Sequence, residues 1–428
     1  MNRLSAMLRA LRVAGFAALA LCFACAGIVM AQPGDMETEG AVLDNTQKNT
    51  QQLSPGKDTR GIHSGDRIWF GTNPVQALSG KEKAPVSWLV LDPEGMLLLS
   101  EEVLGKEDGP VCFDGESPYT NLWKESDAKA WCGDFFEDAL TKAQKEAVLE
   151  TTRSDAAFET VSDSGKTIRF DAEEKILDRD HVFFLSAQEV ERYLPEEESR
   201  IGFFAGIPSS WWLRSPVENS TGRHLRSPVV GIVTGQESSA YQDARAQVSQ
   251  ALGIDVEAAK QGDIRGSVVD NTFIDAGMRP AMNLDLSRVL FASPVQGEEA
   301  GETAPDGLHM VQNQDVHEWK LTITDPDLSV TFEETKRDGD TITISYRDVS
   351  VDEDAFISAA VLDQEGILRS SGRLAAADQE GGSVTLDLSG ISVSATDRLF
   401  LFLQAEHGAA ETDYAGGWTE ISLGSYTG

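Results

Sequence analysis

Alternating apolar and polar residues run through residues 316–428, and this pattern restricts the fold more than any other feature of the chain. A period of two is typical of strands that bury one face, and Gly or Asp stands at the turns between the segments. The segments are WKLTITD, LSVTFEE, TITISYRD, FISAAVLD, GILRSSGRL, SVTLDLSG, RLFLFLQAE and WTEISLG. Such a series of short strands without a helical pattern predicts an all-β sandwich of the immunoglobulin-like kind, although the Cys–Trp–Cys core of antibody domains is absent.

A chain of 428 residues is long enough for two or three domains, and two polar stretches indicate where they divide. Residues 32–60 and 293–315 contain many polar, Gly and Pro residues and lack apolar periodicity. We expect a disordered tether over 32–60, a first domain over 61–292, a linker over 293–315 and the β-sandwich over 316–428.

The N-terminus has the pattern of an export signal. Three arginines precede the apolar stretch VAGFAALALCFACAGIVMA, which ends in small residues suited to cleavage after Ala31. We therefore expect a signal peptide over residues 1–31 and a protein that is secreted or displayed at the cell surface. An uncleaved membrane anchor and a lipid attached at Cys25 are the alternatives, and the membrane would be contacted only through this segment.

The charge of the chain restricts its partners. Lys and Arg number 36 against 70 Asp and Glu, which gives a formal net charge of −34. A surface this acidic repels nucleic acid and anionic lipid headgroups, so we expect neither as a partner.

Strand and helix patterns alternate in residues 61–292. The strand-like segments are DRIWFG, SWLVLD, MLLLSEEVL, HVFFL, WWLRS, VVGIV and GMRPAMNL. Helices are predicted after the N-cap residue Ser126, after capping boxes at Thr141 and Ser186, and over residues 238–262. This mixture predicts an α+β domain.

Two cysteines, Cys112 and Cys132, remain once the signal segment is removed. An exported chain with a single pair of cysteines favours a disulfide between them. Two free buried thiols, or one reactive cysteine, are the alternatives.

Arg214 and Arg279 stand inside apolar strand segments, where a buried charge requires a partner. Candidate partners for these arginines are Glu125, Asp127 and Glu189. An ion pair that stabilises the fold is the favoured interpretation. The alternative is that the arginines hold a carboxylate or phosphate group of a ligand.

Trp211 and Trp212 are adjacent in the same strand and therefore point to opposite faces of it. At least one of them should belong to the core. An outward-facing tryptophan could stack on a sugar or a peptide, so both are candidate ligand contacts together with Arg214 and Arg279.

Motifs for catalysis and for cofactors do not occur in the sequence. There is no H-E-x-x-H, no Walker loop and no G-x-G-x-x-G, and no hydrolase motif places a histidine beside Ser215. We assign no catalytic residue, no metal ligand and no cofactor. Calcium is possible because acidic residues cluster near 325–327 and 352–354, but they lack the spacing of a twelve-residue calcium loop.

Residues 66–291 contain, in order, WFG with SWLVLD, then NLWKESDAKAWCGDFF, HVFFLSAQEVERYL, WWLRSP and GMRPAMNL. In the order and spacing of these segments, the region resembles the bacterial family known as domain of unknown function 6273. Cys132-Gly133 replaces the usual Leu-Asn, and the region 218–276 is longer than in the family. The layout of the last strands is similar to C-type-lectin-like folds, and β-sandwich modules often follow this domain in secreted proteins. The family has no assigned activity, and a fold alone implies none.

Together these features favour a non-catalytic binding protein outside the cell, with a glycan or a protein or peptide segment as its ligand. An enzyme or enzyme accessory that acts on cell-wall or other polysaccharide is one alternative. A structural component of a surface layer is the other.

Overall fold

The structure, a computed structural model, describes the larger part of the chain. The described residues are 61–73, 84–104, 113–115, 120–161, 165, 167–204, 207–218, 230–233, 268–270, 276–295, 307–311, 316–350, 355–394, 396–407 and 411–421. All of them fall in one compact unit, Lys57–Gln242 with Ala258–Gly428. The predicted signal peptide, the tether, Cys112, the helix over 238–262 and much of the predicted linker lie outside the described residues.

Strands are the main element even in the part predicted to be α+β. The strands there are β1 (Arg67–Thr72), β2 (Pro85–Asp92), β3 (Leu97–Ser100), β4 (Thr151–Asp155), β5 (Phe158–Val161), β6 (Thr167–Phe170), β7 (Glu173–Asp180), β8 (Val182–Phe183), β9 (Gly202–Phe204), β10 (Ile207–Ser209), β11 (Trp211–Pro216), β12 (Val230–Val233), β13 (Val268–Asp270), β14 (Ala281–Asn283) and β15 (Val289–Pro294). The helices are α1 (Asp127–Ala139), α2 (Lys142–Glu146), α3 (Ala187–Tyr193) and α4 (Glu197–Arg200), with 3-10 turns at Trp123–Glu125 and Leu286–Arg288.

The α+β prediction, and with it the C-type-lectin-like interpretation, is therefore wrong for this structure, which is mostly β. The prediction fails mainly because of residues 151–180, for which the sequence pattern suggested neither a strand nor a helix. They form two antiparallel pairs, β4 with β7 and β5 with β6. The helices predicted after Ser126, Thr141 and Ser186 are present, but the last two are short, ending at Glu146 and Tyr193. The helix predicted over 238–262 stays a prediction.

Capping residues explain where the helices begin. The Ser126 hydroxyl accepts a hydrogen bond from the Lys129 N–H at the start of α1. Thr141 and Ser186 form the predicted capping boxes of α2 and α3, in which side chain and backbone satisfy each other reciprocally. Among the described residues, none of the helices has the length and apolar character that a membrane crossing requires.

The strands predicted in 316–428 are all present. They are β17 (Glu318–Thr324), β18 (Ser329–Asp338), β19 (Thr341–Ser350), β20 (Phe356–Leu362), β21 (Leu368–Ala376), β22 (Gly382–Asp387), β23 (Arg398–Ala405) and β24 (Asp413–Ile421), preceded by the short β16 (His309–Met310). A three-stranded sheet, β18–β19–β22, and the run β16–β21–β20–β23–β24–β17 contribute apolar side chains to one core. This arrangement fits a β-sandwich, as the alternation predicts.

One strand, β17, joins the two halves of the chain in a single sheet. Its first residues pair in parallel with β1 and its last residues pair in parallel with β24, while β15 pairs antiparallel along its other edge. The sheet continues from β1 through β2, β3 and β14 to β8. Separate domains over 61–292 and 316–428 stay a prediction, but the backbone pairing runs across the segment that would divide them.

Buried polar contacts strengthen this junction. The Lys320 ammonium on β17 lies 2.7 Å from the Asp413 carboxylate at the start of β24 and donates to the His407 carbonyl at 2.8 Å. Gln144 of α2 donates to the hydroxyl of Thr412 at 2.9 Å. An early helix is thereby attached to the last strand.

Candidate ligand-binding cleft

Arg214 is fully buried on β11 and is surrounded by acceptors. Its Nε and Nη2 donate to the two carboxylate oxygens of Asp155 at 2.9 and 2.6 Å. Its Nη1 donates to Glu189 Oε2 and to the Phe184 carbonyl, both at 2.6 Å. A guanidinium held by two carboxylates and a carbonyl has its charge and its donors matched inside the protein.

The carboxylates around Arg214 form a connected network. Glu189 also pairs with Arg153 and accepts from the Ser186 N–H at 2.8 Å, so its capping role and its ion pairs coincide. Burial by itself would raise the pKa of Glu189, but Arg214 and Arg153 together lower it to about 2. Burial raises the pKa of Asp155 despite the neighbouring guanidinium. The network joins β4, α3 and β11.

Of the three partners predicted for the buried arginines, only Glu189 is confirmed. Asp127 instead accepts from the Gly115 N–H at 2.8 Å, and no contact links Glu125 to either arginine in the described part of the chain. The second carboxylate, Asp155, was missed because β4 was missed. The polar–apolar alternation of the short segment TIRF was a signal in that region, whereas EEKILDRD does not alternate.

Both tryptophans of β11, Trp211 and Trp212, belong to the core. Trp211 donates its indole N–H to the Arg200 carbonyl at 3.0 Å, and Trp212 packs against Phe113 with ring centroids 5.8 Å apart. Neither ring is exposed. Ligand contact by Trp211, Trp212 and Arg214 stays a prediction, and their burial gives it no support.

Arg279 is held differently from Arg214. Its Nε donates to the Ser100 carbonyl at 2.9 Å, and its Nη1 and Nη2 make longer bonds to the carbonyls of Arg200 and Glu101 at 3.3 and 3.4 Å. The guanidinium lies over the Trp211 ring, 4.9 Å from its centroid. Burial lowers the pKa of Arg279 to about 10, with only the charge of Glu101 acting against it.

The backbone before Arg279 fits closely against the segment after β3. Met278 and Leu104 exchange N–H···O hydrogen bonds of 2.9 and 2.6 Å. Gly277 is required for this approach, because a Cβ there would lie 2.0 Å from a methyl carbon of Val103. Close packing of the backbone is what brings Arg279 beneath the surface.

Arg279 lines a cleft of about 240 Å³. The cleft is lined by Gly65, Arg67, Leu89, Glu101, Ser199, Ile201, Phe203, Arg279 and His317. Phe203 leaves 43% of its surface exposed, which is unusual for a large apolar side chain in this structure. The cleft thus combines a buried cation, an exposed aromatic ring and polar side chains at the rim.

The rim carries charges of both signs that neutralise each other. Arg67 lies 2.6 Å from Glu101 and 2.9 Å from Glu318. Ser87 donates to Glu101 at 2.7 Å, and the His317 ring lies 3.0 Å from the buried Asp66 carboxylate. Arg67 is therefore already paired with carboxylates of this chain and does not compete with Arg279 for a carboxylate of a ligand.

The described residues include no group of three or more His, Cys, Asp or Glu side chains placed to hold a metal ion. Asp325 accepts from the Asp327 N–H in a turn, and Asp327 pairs with Lys142. The acidic residues at 352–354 lie outside the described residues, and calcium binding stays a prediction.

Cys132 is a buried free thiol on α1. Burial raises the pKa of Cys132 well above its ordinary value, and the nearby Asp180 adds to that effect. Its predicted disulfide partner, Cys112, lies outside the described residues, so the disulfide stays a prediction.

A comparison with known protein families gives a match over part of the chain. Residues 93–286 match the family described as "Domain of unknown function (DUF6273)", which confirms the resemblance noted in the sequence. The chain thus carries a DUF6273 domain over these residues. The cleft uses this domain for Glu101, Ser199, Ile201, Phe203 and Arg279, and the flanking strands for its other walls.

Comparisons with whole proteins add little. No curated protein matches the chain. Solved structures that share some similarity include a Ruminococcus gnavus β-glucuronidase in complex with N1-substituted uronic isofagomine, at 11% identity and a TM-score of 0.15, and the crystal structure of the Ruminococcus gnavus enzyme at 14% and 0.14. Each match covers 40% of this chain and 30% of that chain. Likeness at this level carries no argument about fold or function.

Proposed function

We propose that this chain is a non-catalytic binding protein that acts outside the cell and receives a glycan in the cleft at Arg279. The observation that carries the proposal is the cleft itself, in which an exposed aromatic ring, Phe203, stands beside a buried cation and half-exposed polar side chains. Sugars are commonly recognised by an aromatic face together with polar groups that hydrogen-bond to hydroxyls.

A peptide fits the same cleft less well, because extended peptides are bound largely through backbone hydrogen bonds. The backbone N–H groups of Gly65, Arg67, Glu101, Ser199 and Ile201 already donate to carbonyls of this chain at 2.8–3.3 Å. These lining residues offer no backbone donor to an incoming main chain. Their side chains, in contrast, remain accessible at the rim.

Export is part of the proposal and is supported by the signal-peptide pattern of residues 1–31. N-terminal sequencing of protein recovered from the medium should begin at Gln32. A chain that keeps Met1 and stays with the membrane would show that the apolar segment is an anchor.

Screening the full chain on a glycan array tests the function. We expect a sugar-specific signal that falls about fivefold or more in Phe203→Ala, because a stacking contact contributes on the order of 1 kcal/mol. Trp418→Ala is the matched control, since Trp418 is also an exposed aromatic, at 45%, but lies outside the cleft. Equal loss in both variants, or no glycan bound by the native chain, would refute the proposal.

A further inference from the structure

Arg279 differs from the other buried arginines in its counter-ion. Four arginines are buried in the described part of the chain: Arg200, Arg214, Arg279 and Arg373. Three of them have a carboxylate oxygen within 2.6–3.4 Å, whereas none of the described carboxylates comes within ion-pair distance of Arg279. A buried charge without a counter-ion is costly, so its retention beside a cleft indicates that a counter-ion arrives from outside.

The donors of Arg279 indicate what that counter-ion is. A guanidinium has five N–H groups, and Arg279 uses one on each nitrogen for backbone carbonyls. One N–H on Nη1 and one on Nη2 are left without an acceptor among the described residues. Two N–H groups on adjacent nitrogens are the donor set that a carboxylate accepts as a bidentate pair.

The remaining walls favour an acid group that belongs to a sugar. The Phe203 ring can stack on a sugar ring, and Ser199, Arg67 and Glu101 present side chains that exchange hydrogen bonds with hydroxyls. Glu101 at the rim is neutralised by Arg67, so the guanidinium of Arg279, which has no counter-ion among the described residues, is the place in the cleft where an acid group is attracted.

We propose that the cleft binds a hexuronate residue and that its carboxylate pairs with Arg279. This inference rests on the proposed glycan-binding function and adds the chemical class of the sugar. The Trp211 ring beneath the guanidinium and the three backbone carbonyls hold Arg279 in place for this contact. Arg279 is thus a specificity-determining residue.

A change made in the ligand tests the proposal without disturbing the fold. Oligosaccharides of galacturonate and of glucuronate are titrated into the full chain by calorimetry, each beside its methyl ester, which removes the charge and keeps the sugar. We expect the acid form of at least one sugar to bind about tenfold or more tighter than its ester, with the preference shrinking as salt is raised.

A change made in the protein gives the second readout. Arg279→Lys keeps the charge but loses the two-pronged donor set, so we expect the preference for the acid form to fall to about a fifth or less of its native value. Melting temperature reports whether the variant is folded. Where it is not, the comparison of acid and ester on the native chain decides by itself.

The possible outcomes distinguish a failure of the hexuronate proposal from a failure of the proposed glycan-binding function. If neutral sugars or esters bind as tightly as the acids, glycan binding stands and the hexuronate proposal is wrong. If no uronate binds but other glycans do, the conclusion is the same. If no glycan binds, while a peptide with a free C-terminus does, both proposals are wrong.

Discussion

Replacing Arg214 by methionine should destabilise the protein strongly, because Asp155 and Glu189, whose side chains are only 9% and 10% exposed, would lose their shared cation. Asp155 accepts two hydrogen bonds from Arg214, and no other side chain among the described residues donates a hydrogen bond to it, although the charge of Arg153 also acts on it. Glu189 would keep its contacts with Arg153 and with the Ser186 N–H. The cost therefore falls mainly on Asp155.

The magnitude follows from removing one member of a buried ion pair, which costs about 3–5 kcal/mol. Methionine occupies much of the arginine volume, so a cavity adds little. In a unit of this size each kcal/mol lowers Tm by about 1–2 °C, so Arg214→Met should lower Tm by roughly 3–10 °C at neutral pH. Burial already raises the pKa of Asp155, and without Arg214 this residue would take up a proton more readily, so the deficit should shrink as pH falls from 7 to 5.

Thermal unfolding followed by circular dichroism measures this difference. Arg169→Met is the matched control, because Arg169 also pairs with a carboxylate, Glu159, but is 59% exposed and should contribute less than about 1 kcal/mol. If both variants shift Tm by the same small amount, the network around Arg214 does not stabilise the fold as we argue.

Three further predictions follow from the other buried groups. The pKa of Glu189 lies at about 2 in the folded protein against an ordinary 4.5, so its stabilising contribution is complete above about pH 4.5 and is lost as pH falls toward 2. This contribution to the free energy of unfolding is on the order of 3 kcal/mol. When the free energy of unfolding is measured between about pH 4.5 and 2, Glu189→Gln should therefore lose less stability than the native chain, and identical pH profiles would contradict this prediction. Cys132 should resist iodoacetamide in the folded protein, since burial keeps its thiol protonated, and rapid labelling at pH 8 would refute this. Labelling the unfolded protein without reductant distinguishes a disulfide, which does not react, from free thiols, which do. Lys320→Met should cost about 3 kcal/mol, because the buried Asp413 carboxylate would lose its counter-ion and keep only the hydrogen bonds from Gln404 and the His407 N–H. Hydrogen exchange should then quicken in β1 and β24 together, whereas a change confined to β24 would show that β17 does not couple the halves.

The elements that the sequence predicted are those with strong local signals. The strands of 316–428 follow from period-two alternation, and the starts of α1, α2 and α3 follow from Ser126, Thr141 and Ser186, whose caps are local interactions. Both kinds of signal depend on residues a few positions apart. They are therefore visible without knowledge of the tertiary structure.

The strands of 151–180 were not predictable in the same way. Only one residue of β4 is buried, and β7 pairs with it through two shifts in register. Lys175 and Arg179 have positive φ angles of 47° and 60°, a conformation that the sequence does not indicate for residues other than glycine. An irregular, mostly exposed hairpin therefore looks like a loop, and the misassigned fold class follows from that.

The candidate site shows a second limit. A charge inside an apolar strand segment correctly pointed to both Arg214 and Arg279 as buried arginines. Their sequence contexts did not distinguish them, because the carboxylate that separates the two cases, Asp155, lies 59 residues before Arg214. Which arginine is neutralised internally is decided by tertiary structure.

The location of the cleft has a consequence for how its function can be studied. Residues 93–286, the DUF6273 segment, supply Arg279 and Phe203, but Arg67 and His317 come from outside it. Arg67 sits on β1, which reaches its position through pairing with β2 and with β17. A fragment limited to the DUF6273 segment would lack these walls and the rim charges that keep Glu101 occupied. In such a fragment Glu101 would lack Arg67 and would be free to turn toward Arg279. Weak ligand binding by the fragment would then result from the missing rim residues and would not show that the full chain lacks a site.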